Sequence, residues 1–246
     1  MALVLLVALL VLVASPVHAR DSSGPVAGSL GIGVLDTDRF PGGAERRQRV
    51  IPVINITYAE RYYFRFTQLG AWLWRSEEVG PRSGWRVGPA LRPRFRISPP
   101  QNLSAVDREE RDFSLDAGLA GELNGRWLSY SAAIYGDAFG RHNGLSARIG
   151  VSSFVPLTER LRVLPAISLD WESSRIGRFY YGTTHEPEPG QAWIPSASLL
   201  VQLTLTRRWG LTAGLFMSRQ PASRQATGML ASRTSRTAVL GLAFRF

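Results

Sequence analysis

Arginine alternates with apolar residues along one stretch of the chain, from Trp85 to Ile97. Four arginines share one face of this stretch, Arg86, Arg92, Arg94 and Arg96, and the opposite face is Trp85, Val87, Pro89, Leu91, Pro93, Phe95 and Ile97. Successive side chains of a β-strand point to opposite sides, so the pattern predicts a strand with one guanidinium-rich face and one apolar face. A row of guanidinium groups can attract anions or pair with carboxylates across an enclosed space.

Other segments with the same alternation supply charges of both signs to the polar face. The complete set of charges that we expect to face inward is Arg86, Arg92, Arg94, Arg96, Asp116, Glu122, Asp137, Arg148, Arg162 and Asp170. These charges could line a pore that prefers small anions, or they could pair across the interior and plug it. We favour the plug, because both signs are present and a barrel of about 12 strands is narrow compared with barrels that hold open channels.

The histidines do not indicate catalysis or metal binding. His18 belongs to the leader segment, and His142 and His185 are isolated from any cysteine or paired carboxylate at ligand spacing. Gly140 to Gly144, which contains His142, reads as a turn, so we expect His142 to be a solvated loop residue. We therefore predict that the protein is not an enzyme and has no catalytic residues, no cofactor and no metal site.

The charged residues must be positioned by strands. The alternation of apolar and polar residues predicts twelve strands, with ten as the alternative count: Gly28–Leu35, Val50–Tyr58, Tyr62–Thr67, Leu69–Arg75, Trp85–Ile97, Phe113–Leu123, Leu128–Ile134, Leu145–Val155, Leu161–Trp171, Trp193–Leu205, Trp209–Met217 and Thr237–Phe246. The third and fourth could instead be one bent strand. Many of these segments are long enough to cross a membrane when tilted, which takes roughly nine to eleven residues.

The second face of most strands carries Ser, Gly, Ala and Thr with scattered charges. We expect no dry core on that side, so the apolar faces must be the buried ones, either in lipid or against each other, and the length of the strands favours lipid. The predicted fold is all-β: a transmembrane antiparallel up-and-down β-barrel with both termini on the periplasmic side. Most long connections then fall outside. The segment Ile97–Asp112 is an apparent exception, and the strand register around residues 61–112 stays open.

The last predicted strand, Thr237–Phe246, has an apolar face that ends on an aromatic residue. Leu240, Leu242, Phe244 and Phe246 are expected to contact lipid and to form the signal that the barrel-assembly machinery reads. Closing a barrel requires this strand to pair with the first, Gly28–Leu35.

The beginning of the chain resembles an export signal. An apolar run from Ala2 to Ala14 is followed by Val17 and Ala19, which suit cleavage after Ala19. We therefore expect a signal peptide at 1–19 and a single outer-membrane barrel domain at 20–246.

The formal net charge is +10, there is no cysteine, and every basic residue is Arg. No basic cluster is interleaved with stacking aromatic residues, so nucleic-acid binding is not expected.

Several motifs in order resemble the MipA/OmpV family of Gram-negative outer-membrane proteins. They are Gly31-Ile32-Gly33-Val34, Phe40-Pro41-Gly42, Ile51 to Tyr58 with Arg61-Tyr62-Tyr63-Phe64, Gly88 to Phe95, Phe179-Tyr180-Tyr181-Gly182, and the final Phe246. The resemblance covers almost the whole mature chain. The segment Arg96 to Pro100 departs from the family pattern, which expects Gly, Arg and an acid there.

The resemblance implies an outer-membrane barrel. It also implies a scaffold that joins a murein-degrading lytic transglycosylase to a murein-synthesising penicillin-binding protein, without any catalytic motif. The expected surroundings are outer-membrane lipid, lipopolysaccharide and the barrel-assembly machinery. The alternatives that we weigh against the scaffold are a narrow channel for small anionic solutes and a surface-exposed adhesion protein.

Overall fold

The computed structural model describes residues 25–38, 46–65, 68–76, 84–94, 113–183, 188–228, 230 and 232–246. The strands are β1 (Val26–Asp38), β2 (Arg46–Tyr58), β3 (Tyr62–Arg65), β4 (Gln68–Ala71), β5 (Trp74–Arg75), β6 (Gly84–Arg94), β7 (Ser114–Asn124), β8 (Leu128–Asp137), β9 (Leu145–Ser153), β10 (Val155–Pro156), β11 (Leu161–Glu172), β12 (Ala192–Thr204), β13 (Trp209–Arg219) and β14 (Thr234–Arg245). Two helices, α1 (Ser174–Tyr181) and α2 (Ala222–Ala226), lie between strands.

All strands join one antiparallel sheet that closes on itself. The strands pair in the order in which they follow each other around the wall, and β1 also pairs with β14. The short pieces β4 and β5 both pair with β6, and β9 and β10 both pair with β11, so each couple counts as one interrupted wall strand. The wall therefore has 12 strands. This confirms the predicted barrel, and the alternative of ten strands was wrong.

The first and last wall strands form the seam. Gly28 and Phe246 exchange two backbone hydrogen bonds of 3.1 Å, and the register continues from Ser29 opposite Arg245 to Thr37 opposite Thr237. A Cβ atom at Gly31 would lie 2.1 Å from the Leu242 carbonyl oxygen, so this close approach requires glycine. The predicted pairing of the terminal strand with the first strand is confirmed.

The outer surface of the barrel is apolar and exposed. Large aliphatic side chains at mid-height include Ile149, Ile167 and Leu215, which are 58%, 64% and 61% exposed. Exposed aromatic rings gather at the two ends: Tyr58, Tyr62, Trp74, Trp85, Trp127 and Trp209 at one end, and Phe113, Phe139 and Trp193 at the other. An apolar band between two aromatic girdles is the outer surface of a barrel that spans a bilayer.

The two ends of the barrel differ in their connections. Residues 125–127, 157–160 and 205–208 make tight turns at the end that holds both Gly28 and Phe246. In two of these turns a threonine hydroxyl accepts backbone N–H groups: Thr158 from Arg160 and Leu161, and Thr206 from Arg208 and Trp209. Such side-chain bonds hold the turn that the sequence encodes.

The connection between β6 and β7 does not break the pattern of long loops, contrary to our expectation for Ile97–Asp112. Arg94 and Ser114, which flank it, lie opposite each other at the end with the other long connections, although residues 95–112 themselves are outside the described part of the chain. The Ser76–Gly84 connection is instead the long one at the tight-turn end. Strands β3 and β4 are two separate strands, paired from Tyr62 opposite Ala71 to Arg65 opposite Gln68.

The expectation that the inner face holds no dry core was wrong. One apolar cluster inside the wall consists of Leu35 and Ile51 with Val239, and another consists of Leu164, Leu200 and Phe216 with Phe154. Both lie on the side of the barrel formed by β1, β2 and β11 to β14. Bulky apolar groups occur on the second face of these strands, and in a barrel this narrow they meet neighbours and exclude water.

Two connections at the long-loop end contain short helices that sequence patterns did not predict. The connection after β11 contains α1, and the connection after β13 contains α2. Ile176, Tyr180 and Tyr181 of α1 are buried with Leu230 in a further apolar cluster. Among the described residues, no helix is long and apolar enough to cross a membrane.

Candidate functional site

The inner face collects the predicted charges. Arg86, Arg92 and Arg94 come from β6, Asp116 and Glu122 from β7, Asp137 from β8, Arg148 from β9, and Arg162 and Asp170 from β11. Eight of these nine form ion pairs or hydrogen bonds with other interior groups, and the guanidinium of Arg162 lies over the Phe154 ring at 5.5 Å. Arg96 lies outside the described residues. Strand alternation therefore brings the charges together inside the barrel.

The largest ion-pair network lies towards the long-loop end. Arg94 Nε is 2.6 Å from Asp116 Oδ2, and Arg94 Nη1 is 2.7 Å from Glu172 Oε1. Glu172 Oε2 also lies 2.8 Å from Nη2 of Arg224, which belongs to α2 and is fully buried. Arg92 donates to Asp116 at 2.9 Å. The network links the wall strands β6, β7 and β11 to a helix of the loop region.

His142 extends the network, and the prediction that it is solvated was wrong. Its side chain is buried, and Nε2 lies 2.9 Å from Asp116 Oδ1. Because Nδ1 accepts the Gly144 backbone N–H at 3.0 Å, Nε2 carries the proton that is donated to Asp116. The rings of Phe179 and Tyr180 cover the imidazole at 6.2 and 6.0 Å. A histidine with these contacts holds its loop against the wall strands.

The predicted turn around His142 is present, and Asp137 organises it. The Asp137 carboxylate accepts backbone N–H groups from Phe139, His142 and Asn143. Asn143 has a φ of 50°, in the left-handed region that asparagine tolerates better than most residues. Asp137 therefore caps a loop rather than lining an open passage.

A second network lies nearer the tight-turn end. Glu122 binds Arg65 through Oε1 at 2.9 Å and Arg86 through Oε2, with Arg86 Nε at 2.8 Å. The two guanidinium groups lie over aromatic rings, Arg65 over Tyr63 and Arg86 over Trp72, each at 4.8 Å from the ring centre. Buried charges of this kind need both partners, because removal of one leaves the other uncompensated.

Helix α1 covers the ion-pair network at the long-loop end. The Arg224 guanidinium lies 4.4 Å from the Tyr181 ring centre, and that of Arg94 lies 5.9 Å from the Tyr180 ring centre. Burial raises the pKa of Tyr180 to about 12 and that of Tyr181 to about 12, although the nearby arginines act in the opposite direction. Both phenols are therefore neutral at physiological pH.

Three members of the networks were not among the predicted inward charges: Arg65, Glu172 and Arg224. Strand alternation could have placed two of them on the inner face. Glu172 lies two residues after the inward Asp170 on β11, and Arg65 lies two residues after Tyr63 on β3. Arg224 had no such signal, since it belongs to a helix of only 5 residues in a connection.

The residues of the predicted assembly signal lie on the outside of β14. Leu240, Leu242 and Phe246 are 54%, 38% and 40% exposed, and the Phe244 ring packs edge-on against Trp209 at 5.4 Å. Their role in assembly stays a prediction.

Within the described residues, no group of three or more His, Cys, Asp or Glu side chains is arranged to hold a metal ion.

Comparison with solved structures finds barrels from bacterial outer membranes. The outer-membrane channel DcaP of Acinetobacter baumannii is 8% identical, with a TM-score of 0.43 over 90% of this chain and 96% of that chain. In-vitro folded OmpT of Vibrio cholerae is 6% identical, with a TM-score of 0.40 over 90% and 96%. Ail of Yersinia pestis is 11% identical, with a TM-score of 0.28 over 91% and 99%.

Comparison at the level of sequence families is more informative. Residues 30–246 match the family described as MltA-interacting protein MipA, so the match covers all wall strands from within β1 to β14. A search of the curated proteins finds no match.

Proposed function

Because the chain belongs to the MipA family of outer-membrane barrels, we propose that it is a non-enzymatic scaffold that binds a murein-degrading lytic transglycosylase in the periplasm. The family description, MltA-interacting protein, motivates the choice of partner. The same scaffold would hold a murein-synthesising penicillin-binding protein, so that hydrolysis and synthesis of murein occur at one place. The barrel wall would contact outer-membrane lipid and lipopolysaccharide.

The observation that carries the proposal is the filling of the barrel interior. A chain of contacts runs through the interior from a loop to α2. It starts at His142, continues through Asp116, Arg94 and Glu172 of the wall strands, and ends at Arg224. These groups are ion-paired or hydrogen-bonded to each other and lie beneath α1, so they are not available for chemistry on a substrate. Function is then carried by the surfaces at the two ends of the barrel.

The tight-turn end is the surface that suits a periplasmic partner. Outer-membrane barrels place short turns in the periplasm and long loops outside. The exposed side chains of these turns include Arg126, Arg160, Arg207 and Arg208. Such a basic rim would attract an acidic patch on a partner and speed its association.

The test is a pull-down with purified protein folded in detergent and a purified lytic transglycosylase. We expect recovery of the transglycosylase, and weaker recovery with the double variant Arg126→Ser and Arg208→Ser. The matched control carries Arg178→Ser and Arg219→Ser at the opposite end. Absence of recovery with the unchanged protein contradicts the scaffold, whereas equal loss in both variants contradicts the assignment of the surface.

The alternative of a channel for small anionic solutes has weaker support. An anion-preferring pore needs inward arginines that face water, whereas Arg86, Arg92 and Arg94 are held by carboxylates. The alternative of an adhesion protein would use the long-loop end, and no contact among the described residues specifically supports adhesion there.

A further inference from the structure

A small cavity lies inside the barrel between the two ion-pair networks. Its volume is about 40 Å³, and its polar lining includes Gln68, Arg92, Glu122, Ser131, Tyr135 and Arg148. The indole of Trp72, which is 2% exposed, forms another part of the lining. A volume of this size has room for about three water molecules, or for one small ion with fewer waters.

The charges around the cavity are not balanced. Two guanidinium groups, those of Arg92 and Arg148, line it together with one carboxylate, that of Glu122. Glu122 is already shared by Arg65 and Arg86, which bind one of its oxygens each, so it does not neutralise either lining arginine. The partners of the lining arginines are Asp116 for Arg92 and Asp170 for Arg148, neither of which lines the cavity. Asp116 is shared by Arg92 and Arg94, just as Glu122 is shared by Arg65 and Arg86, so guanidinium groups outnumber carboxylates in the neighbourhood of the cavity.

The neutral polar groups of the lining can act as donors. Gln68 Nε2 donates to the Tyr135 hydroxyl at 2.8 Å, so the Tyr135 hydroxyl proton is available to another acceptor. The Nε atom of Arg92 is buried and has no hydrogen-bond partner among the described residues. A buried donor without an acceptor is costly, and an anion supplies that acceptor together with the missing negative charge.

We propose that this cavity binds a small monovalent inorganic anion of the halide class. The ion accepts hydrogen bonds from the lining donors and offsets the positive charge between the two networks. It is a structural ion held within the wall of β4 and β6 to β9, not a permeating solute. The inference does not depend on the scaffold role, because it concerns the interior alone.

Trp72 provides a direct readout. Iodide quenches exposed indoles by collision, with a linear dependence on concentration, whereas an iodide ion held in the cavity would quench the buried Trp72 with saturation. The folded protein is titrated with sodium iodide at constant ionic strength, with sodium gluconate as the balancing salt. We expect a saturable component in the unchanged protein that is absent in Trp72→Phe and that sodium chloride displaces.

Variants of the lining separate a bound ion from water. Arg148→Gln removes a charge-assisted contact, so the half-saturating iodide concentration should rise about tenfold or more. Arg162→Gln, which removes an interior arginine outside the lining, is the matched control and should leave that concentration unchanged. Ser131→Val fills the cavity without altering any charge and should abolish saturation, which keeps the test valid if Arg148→Gln does not fold. Linear quenching that is the same in the unchanged protein and in Trp72→Phe overturns the proposal and means that the cavity holds water only.

Discussion

Arg94 on β6 and Glu172 on β11 form an ion pair across the barrel interior, with 2.7 Å between Arg94 Nη1 and Glu172 Oε1. Strands β7, β8 and β9 lie between them in the wall, so the pair joins parts of the sheet that do not share backbone hydrogen bonds. Both side chains are almost completely buried. The pair therefore acts as a strut that a strand-by-strand description of the sheet would not reveal.

The strut should contribute strongly to stability. Glu172→Gln leaves Arg94 and Arg224 buried with one fewer compensating charge, and breaking a buried pair in this way costs about 3–5 kcal/mol. The free energy of unfolding can be measured by urea titration of the barrel in lipid vesicles, followed by tryptophan fluorescence.

Asp36→Asn is the matched control for Glu172→Gln. Asp36 binds Arg46 at 3.0 Å, but its side chain is 32% exposed and that of Arg46 is 43% exposed. A pair in this setting contributes about 0–1 kcal/mol. Equal effects of the two substitutions would contradict the role of the buried strut.

The outer apolar band predicts a dependence on depth. Ile167→Arg places a guanidinium group on the outside of β11 at mid-height, which should cost about 2–4 kcal/mol in a bilayer, whereas Leu157→Arg, in a tight turn at the barrel end, should cost about 0–1 kcal/mol. The two residues are 64% and 58% exposed, so exposure alone does not distinguish them. The same urea titration measures both, and a larger cost for Leu157→Arg would exclude a bilayer around mid-height.

The filled interior predicts low conductance. In planar bilayers, the purified protein should show no steady ion current, because ion pairs and apolar clusters occupy the lumen. Replacing Tyr180 and Tyr181 by alanine removes the side chains that seat α1 and should increase the frequency of brief openings. A large, stable and anion-selective current through the unchanged protein would instead favour the channel.

The two buried phenols predict an alkaline transition. The pKa of each, about 12, lies above the ordinary value of about 10, so their contribution to stability is complete below pH 10 and is lost as the pH rises through 12. Phenolate absorbance should show a group of tyrosines, Tyr180 and Tyr181 among them, that ionise later than the exposed ones. Tyr180→Phe and Tyr181→Phe should each reduce the number of late tyrosines by one, and variants that leave this number unchanged would mean that α1 is not seated.

Most of the fold could be predicted from the sequence because a membrane barrel makes simple demands on each strand. Lipid requires an apolar face along the whole length, so the alternation is long and regular, as in β11 and β12. The strand ends were less predictable. The predicted segment Gly28–Leu35 extends over Val26–Asp38, because the polar residues Asp36 to Asp38 still pair with β2 and carry no apolar signal.

The interior was harder to predict, because its contacts join residues that are distant in sequence. Alternation placed Asp116 and Arg94 on the inner face but could not identify which charges meet. The burial of His142 depends on α1, which folds over it from another connection, and a local reading of Gly140 to Gly144 cannot detect this. The apolar clusters around Leu35 and Leu200 were missed because we expected a wet second face throughout.

The seam between β1 and β14 has a consequence for folding kinetics. Thr37 and Thr237, whose hydroxyl oxygens lie 3.0 Å apart, are separated by 200 residues along the chain. Contacts of such high sequence separation form only after the entropy of closing a very long loop has been lost, so topologies rich in them fold slowly. Until that contact forms, β1 and β14 are open edges that can pair with other chains. The seam is therefore the point at which the nascent protein is most exposed to aggregation, and a catalyst of closure would have its greatest effect there.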